Sequence, residues 1–193
     1  MKMFKTVLLT ACLSVAGLAN AELVSNVPLD TSRFELMSVS DLTARANQGN
    51  DHAQFYLAKR LQKGMGITQN TQTAAQWYTK AAQQGVAPAQ LNLGIMYLRG
   101  EGVQPNIQQA RLWLEKAAAL GDNRASYTLA LLDEKQQKLV DAYKWYDLAA
   151  RDGMLDEKVR NKARGKIGQL ALNLSNSDIQ KARVEADSWF QNK

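Results

Sequence analysis

The sequence contains very little cysteine, histidine or proline. Its one cysteine, Cys12, lies close to the N-terminus, so the bulk of the chain has no means of forming a disulfide. Its one histidine, His52, has no cysteine partner and no nearby pair of acidic residues, which argues against a metal ligand or catalytic base. Only 3 prolines occur in 193 residues, and no stretch alternates long enough for a strand. We therefore expect an all-α fold stabilised by packing alone.

Concentrated positive charge is also absent. The formal net charge is +6, yet no more than two Lys or Arg residues are adjacent anywhere in the chain. A nucleic-acid-binding domain needs a basic stripe that neutralises phosphates. We expect no nucleic-acid partner.

The one long apolar run, Val7–Leu18, stands at the N-terminus. Lys2 and Lys5 precede it and the small-residue segment Ala19–Ala21 follows, which is the pattern of a signal peptide covering residues 1–21. The run is too short to cross a bilayer stably, so we expect no transmembrane span in the mature chain. Cleavage after Ala21 predicts a periplasmic or secreted protein.

A lipobox is the alternative interpretation of the same segment. Leu9–Cys12 fits its pattern, and lipidation would then anchor the protein at Cys12. The apolar run before Cys12 is short, however, and residues of similar character continue after it. Cleavage after Ala21 is therefore the prediction.

Two stretches of the chain, residues 53–85 and 89–121, repeat each other in register. The matching pairs are all 36 residues apart: Ala53 and Ala89, Leu57 and Leu93, Gly64 and Gly100, Trp77 and Trp113, Gly85 and Gly121. A fixed period of this length indicates a solenoid in which each helical hairpin buries its apolar face against its neighbours. The predicted structural core of the repeats consists of Leu57, Ala58, Leu61, Trp77, Leu93, Gly94, Tyr97, Trp113, Leu129, Ala130 and Trp145.

The repeat pattern predicts the domain organisation. An extended lead-in (22–37) precedes a half-repeat (38–52) that Ser38 and Asp41 open as a capping box. Full repeats follow at 53–88, 89–124 and 125–153, and residues 154–193 form two capping helices, the second opened by a capping box of Ser177 and Gln180.

The third repeat is degenerate. Four residues are missing from its inter-helix loop, Asp133 replaces Tyr97, and Gln136 replaces the loop glycine. These changes predict a tighter turn and a more solvated helix end.

The positions Leu57-Ala58, Gly64, Ala74 and Trp77, with their counterparts one repeat later, resemble those of Sel1-like repeat proteins, a branch of the tetratricopeptide-like solenoids. The resemblance covers about residues 38–153. It implies a right-handed α-solenoid that serves as an adaptor for a protein or peptide partner, often in bacterial envelopes. We expect no cofactor.

No constellation of residues points to chemistry. Gly64, Gly66, Gly100 and Gly102 follow helices rather than strands, so they are not phosphate loops. Neighbouring acidic residues, Asp133 and Glu134 among them, are interpreted as charged helix ends that face water. We find no nucleophile–base pair and no metal-ligand spacing, and we expect a protein that is not an enzyme.

The first helix of each repeat carries a second arc opposite the core arc. Its residues run from apolar to basic along each helix and form a ladder across the three repeats. We hypothesise that this ladder is a concave partner-binding groove with an apolar floor and a cationic rim. The alternative is that its apolar members at positions 91, 95, 127 and 131 pack between hairpins or under the C-terminal cap. The ladder consists of Phe55, Lys59, Lys63, Leu91, Ile95, Arg99, Tyr127, Leu131 and Lys135.

The function indicated by these features is an exported scaffold that binds a protein or peptide of a bacterial envelope assembly. Two alternatives remain open. One is a peptidoglycan-directed binding module or enzyme, for which Trp189 is the candidate aromatic platform. The other is a secreted protein that acts on a host.

Overall fold

The computed structural model describes residues 32–151 and 156–189, which form helices and no strand. The all-α fold class is confirmed. The predicted signal peptide, with Cys12 and Ala21, lies outside the described residues. The helices are α1 (Ser32–Leu36), α2 (Val39–Asn47), α3 (Asp51–Lys63), α4 (Thr71–Gln83), α5 (Ala87–Arg99), α6 (Ile107–Ala119), α7 (Asn123–Lys135), α8 (Leu139–Ala150), α9 (Glu157–Ala171) and α10 (Asn176–Trp189).

Three helical hairpins, α3–α4, α5–α6 and α7–α8, follow one another along the chain. Their first helices begin at Asp51, Ala87 and Asn123, which maintains the spacing seen in the sequence. Each second helix also packs on the first helix of the next hairpin, so the units form a continuous solenoid.

The loops explain where the hairpins turn. Gly64 and Gly100 end α3 and α5 with φ of 70°, a left-handed conformation that costs glycine little. Asn70 and Asn106 then begin the second helices, because each side chain accepts a hydrogen bond from the backbone N–H three residues later at 2.9 Å. In the third hairpin the left-handed residue is Gln137, with φ of 61°.

Two buried glutamines connect successive units. Gln54 Nε2 donates to the Ala46 carbonyl at 3.1 Å, and Gln90 Nε2 donates to the Ala82 carbonyl at 3.0 Å. Both carbonyls belong to the last turn of the preceding second helix, and each also accepts from the N–H of the glycine three residues later, Gly49 at 3.1 Å and Gly85 at 3.2 Å. The polar link therefore occurs at the same position in the first two repeats, and the third repeat has Ser126 there.

Most of the predicted core residues are buried. Trp77 and Tyr97 are the exceptions, since both are half-buried. Trp113 and Trp145 are 8% and 2% exposed. The aromatic positions of the repeat thus differ in burial from unit to unit.

The prediction of an extended lead-in is wrong for Ser32–Leu36, which form α1. Phe34 is only 4% exposed because it stacks on rings of the first repeat. A five-residue helix contains too few turns to show a helical period, and its stabilising contacts come from residues far along the chain.

The prediction that the Asp133 side chain faces water is also wrong, although Lys135 and Gln136 at the end of α7 are exposed. Asp133 is 1% exposed and is paired with Arg111 of α6. The neighbouring hairpin thus covers Asp133, and the Arg111 guanidinium makes burial of this carboxylate possible.

The C-terminal helices α9 and α10 pack on α8. The predicted start of α10 at Ser177 is wrong, since the helix begins at Asn176. Ser175 caps it: its hydroxyl accepts from the Asp178 N–H at 3.1 Å and donates to the Asp178 carboxylate at 2.6 Å. A carboxylate three residues after a serine gives a stronger reciprocal cap than the Gln180 amide three residues after Ser177.

Candidate functional site

The first-repeat row of the ladder is partly covered by the chain itself. Phe55 is half-buried and makes an edge contact with Tyr56, with ring centroids 5.1 Å apart. Lys59 Nζ lies 2.6 Å from Glu35 Oε1 of α1. Lys63 is exposed. Of this row, only Lys63 has the exposure expected of a groove rim.

The segment that covers Lys59 of this row is α1. Phe34 stacks on His52 and Tyr56, with ring centroids 5.9 Å apart in both pairs. The hydrogen bond and charge of Lys59 lower the pKa of the Glu35 carboxyl, and Arg60 Nη2 donates to the Glu35 carbonyl at 2.7 Å. α1 is therefore held by an aromatic contact and an adjacent carboxylate contact.

The second-repeat row corrects the groove hypothesis. Leu91 is 4% exposed and belongs to the core that joins the second and third repeats, so it is not part of an open floor. Ile95 is half-buried against the same core. Arg99 is exposed and forms a 3.4 Å ion pair with Glu101. Leu91 and Ile95 are covered because the first helix of a solenoid unit packs both on its own partner helix and on a neighbouring unit.

The third-repeat row remains accessible at one end. Tyr127 is half-buried, in an edge contact with Tyr146 at 5.3 Å between ring centroids. Leu131 is 43% exposed, and Lys135 one turn later is also exposed. The predicted ladder does not form one continuous groove, but this end of it does line a cleft.

The cleft has a volume of about 440 Å³ and lies among α5, α6 and α7. Its walls are mainly apolar, and 49% of Ile107 is exposed there. Lys135 is the charged residue of the lining. The lining residues are Leu98, Ile107, Thr128, Leu131, Leu132, Lys135 and Gln136.

Sequence reasoning identified Leu131 and Lys135 but missed the rest of the lining. Leu98 and Ile107 belong to the preceding repeat, so a helical wheel of α7 alone does not include them. Ile107 did leave a signal: it is an isoleucine directly after the cap Asn106, where the first repeat has the polar Thr71. Its apolar side chain adds to the contiguous apolar lining formed with Leu98 and Leu131, and such a patch is typical of an interaction surface.

The polar side chains that line the cleft are those of Thr128, Lys135 and Gln136. The Thr128 hydroxyl donates to the Arg124 carbonyl at 2.7 Å. The Lys135 ammonium at the rim is the cation available to a ligand in this lining. Apolar walls beside one ammonium suit an apolar group that carries a carboxylate nearby.

The clustered titratable groups elsewhere hold helices together. Tyr146 Oη donates to Glu134 Oε2 at 2.6 Å, and Lys166 Nζ donates to Glu134 Oε1 at 2.9 Å. The hydrogen bond from Tyr146 and, to a smaller degree, Lys166 lower the pKa of Glu134, while burial raises the pKa of Tyr146. This cluster joins α7, α8 and α9.

No group of three or more potential metal ligands occurs within residues 32–151 and 156–189. His52 Nδ1 lies 2.8 Å from Asp51 Oδ1, and the ring stacks on Phe34. Trp189 packs edge-on against Trp145 at 4.8 Å between ring centroids, so it is not an open platform for a sugar ring.

The chain resembles known repeat proteins. The model of the Sel1 repeat matches residues 51–86, 87–122 and 134–154. The crystal structure of a Sel1 repeat protein from Oxalobacter formigenes is 32% identical with a TM-score of 0.60, and the match covers 72% of this chain and 56% of that one. The chain thus spans little more than half the length of that relative.

A second similar structure is that of a protective antigen present in uropathogenic Escherichia coli strains, which displays an SLR fold. It is 25% identical with a TM-score of 0.48, over 79% of this chain and 40% of that one. No curated protein matches the sequence.

Proposed function

This chain is a Sel1 repeat protein, and on that basis we propose that it is an exported, non-catalytic adaptor whose α5–α6–α7 cleft binds a segment of a protein in a bacterial envelope assembly. Sel1 repeat proteins generally mediate protein–protein interactions. The observation that carries the proposal is the apolar cleft with Lys135 at its rim. Export rests on the signal-peptide pattern of residues 1–21.

The exposed apolar residues of the cleft favour a role in binding a partner segment over a purely structural role. Leu131 and Ile107 both line the cleft and are 43% and 49% exposed, so both lose further contact with water when an apolar side chain enters. The volume lies in the range of sites that bind small groups. Because buried anchors dominate interface energetics, one inserted side chain is enough to fix a partner segment.

A peptidoglycan-directed role has less support. Its candidate platform, Trp189, is engaged with Trp145. A host-directed secreted role uses the same export signal, and the identity of the captured partner distinguishes it from an envelope role. None of the helices in the described part of the chain is long and apolar enough to cross a membrane.

Affinity capture from envelope extract tests the proposal. We expect a protein that is retained by the wild type and lost with Leu131→Glu. The matched control is Val184→Glu, because Val184 is an exposed apolar residue of α10 outside the cleft. Equal retention by Leu131→Glu and the wild type would contradict the proposal.

Mass spectrometry of the periplasmic protein tests export. A mature chain that begins at Glu22 is the expected result. Fatty-acid labelling that disappears in Cys12→Ala would instead establish a lipoprotein.

A further inference from the structure

The surface that α1 contacts on the first repeat and the cleft beside the third repeat are formed by equivalent helix positions. Tyr56, Lys59 and Arg60 of α3 line the pocket beside α1. Two repeats later, the same helix positions are Thr128, Leu131 and Leu132 of α7, and all three line the cleft. The position that α1 occupies in the first repeat is therefore open in the third.

α1 shows what this surface binds. Phe34 places a ring against His52 and Tyr56, and the adjacent Glu35 places its carboxylate on Lys59, one turn further along α3. Phe34 is 4% exposed, whereas Leu36, directly after Glu35, is 88% exposed. Two consecutive residues, one aromatic and one acidic, thus make the main contacts.

The cleft also has an apolar contact followed one turn later by a cation. On α7 these positions lie about one turn further along the helix than the equivalent positions on α3. Leu131 and Leu132 supply the apolar contact, and Lys135 supplies the cation one turn later. At about 1.5 Å per residue, one turn corresponds to roughly 5–6 Å along the helix. On α3, Tyr56, which contacts Phe34, and Lys59, which pairs with Glu35, are likewise about one turn apart.

We infer that the cleft binds a short protein segment in which an apolar residue is followed directly by Asp or Glu. The inference rests on the proposed function and specifies its partner. The apolar side chain lies among Leu98, Ile107 and Leu131, and the acidic side chain pairs with Lys135. Aliphatic walls replace the rings that contact Phe34, so the cleft accepts both aliphatic and aromatic anchors.

A peptide with the sequence of residues 31–37, TSRFELM, is a suitable probe because it carries the Phe-Glu pair. Titration of the acetylated, amidated peptide into the ¹⁵N-labelled protein should shift the amide resonances of residues 128–136, together with those of Leu98 and Ile107. Peptides with Phe34→Ala or Glu35→Lys should bind at least about tenfold more weakly.

Protein variants locate the binding. Leu131→Glu should weaken binding at least about tenfold, and Val184→Glu should leave it unchanged. Lys135→Glu should reverse the charge preference and bind the Glu35→Lys peptide more tightly than the original. This exchange identifies the ion pair independently of any effect of Leu131→Glu on folding.

Three results would overturn the inference. The first is an absence of shifts in the cleft. The second is shifts confined to His52, Tyr56 and Lys59, which would mean that the peptide displaces α1. The third is saturation of the cleft by sodium decanoate but not by the peptide, which would assign it to an acyl chain.

The capture experiment separates this inference from the proposed function. A captured partner that depends on Leu131 but binds through a segment without the apolar–acidic pair would overturn the inference and leave the adaptor function in place. Capture that is insensitive to Leu131→Glu would remove the function itself.

Discussion

Arg111 of α6 and Asp133 of α7 form an ion pair between the second and third hairpins. The guanidinium engages both carboxylate oxygens of Asp133, with Nη1 at 3.3 Å from Oδ2 and Nη2 in contact with Oδ1. The Asp133 side chain is 1% exposed and that of Arg111 is 28% exposed. In the second repeat the half-buried Tyr97 holds the position of Asp133. A charged pair thus lies where an aromatic residue stands one unit earlier.

Arg111→Met should lower the free energy of unfolding by about 3–5 kcal/mol, because it leaves the buried Asp133 carboxylate unpaired. The double variant Arg111→Met/Asp133→Leu should be less destabilised than Arg111→Met, since it removes the orphaned charge as well. Urea unfolding followed by circular dichroism measures both.

Arg99→Ala is the control for this prediction. Arg99 pairs with Glu101 on the surface, where an ion pair contributes about 1 kcal/mol or less. An Arg111→Met variant as stable as Arg99→Ala would show that the buried carboxylate finds another partner.

The sequence predicts the repeat architecture well because the period is carried by local signals. Leucines, small residues and loop glycines recur every 36 residues, and each marks a helix face or a helix end. Asp133 and Leu91 were mispredicted because their surroundings come from other units. A helical wheel separates two faces of one helix, whereas the first helix of a solenoid unit contacts both its own partner and its neighbours.

The candidate site was predictable only in part, for the same reason. Leu131 and Lys135 follow from the arc of α7, but Leu98 and Ile107 reach the cleft from α5 and α6. The sequence did not predict α1, because five residues are too few to show a helical period. The burial of Phe34 was not predictable either, because it depends on contact with rings of α3.

Stability should depend on the charge of Glu134. The hydrogen bond from Tyr146, with a smaller effect from Lys166, holds the pKa of Glu134 below its ordinary value. Its stabilising effect is therefore complete above the pKa of a glutamate in the unfolded chain, about 4.3. It is lost as the pH falls through the lower pKa of the folded state.

The comparison of wild type with Glu134→Gln tests this linkage. The wild type should have the higher melting temperature at neutral pH, and the difference should shrink as the pH falls below about 4.3. Tyr146→Phe should reduce the pH-dependent part of the difference, because it removes the main cause of the shift. A difference that stays constant with pH would rule out this role for Glu134.

Gly94→Ala should be destabilising, by about 1–3 kcal/mol. A Cβ atom at this position would lie 2.8 Å from Leu114 Cγ and 3.1 Å from the Ala110 carbonyl oxygen, so α5 and α6 would have to separate. Leu114→Ala should make the added methyl group less harmful, and the double variant should cost less than the two single changes together. Independent, additive effects in urea unfolding would mean that the two residues do not share this space.

Gly165→Ala and Gly168→Ala should each raise the free energy of unfolding, by about 0.5–1 kcal/mol. Both glycines are exposed within α9, and an added Cβ meets nothing within 4 Å at either position. Alanine favours the helix because it restricts the unfolded chain. Thermal unfolding should show a rise in melting temperature of about 2–4 °C per kcal/mol.

Gly49→Ala is the matched control: its surroundings are equally open, but its φ of 92° is unfavourable for alanine, so this variant should lose stability. If Gly165→Ala and Gly49→Ala had the same effect, backbone conformation could not be the cause.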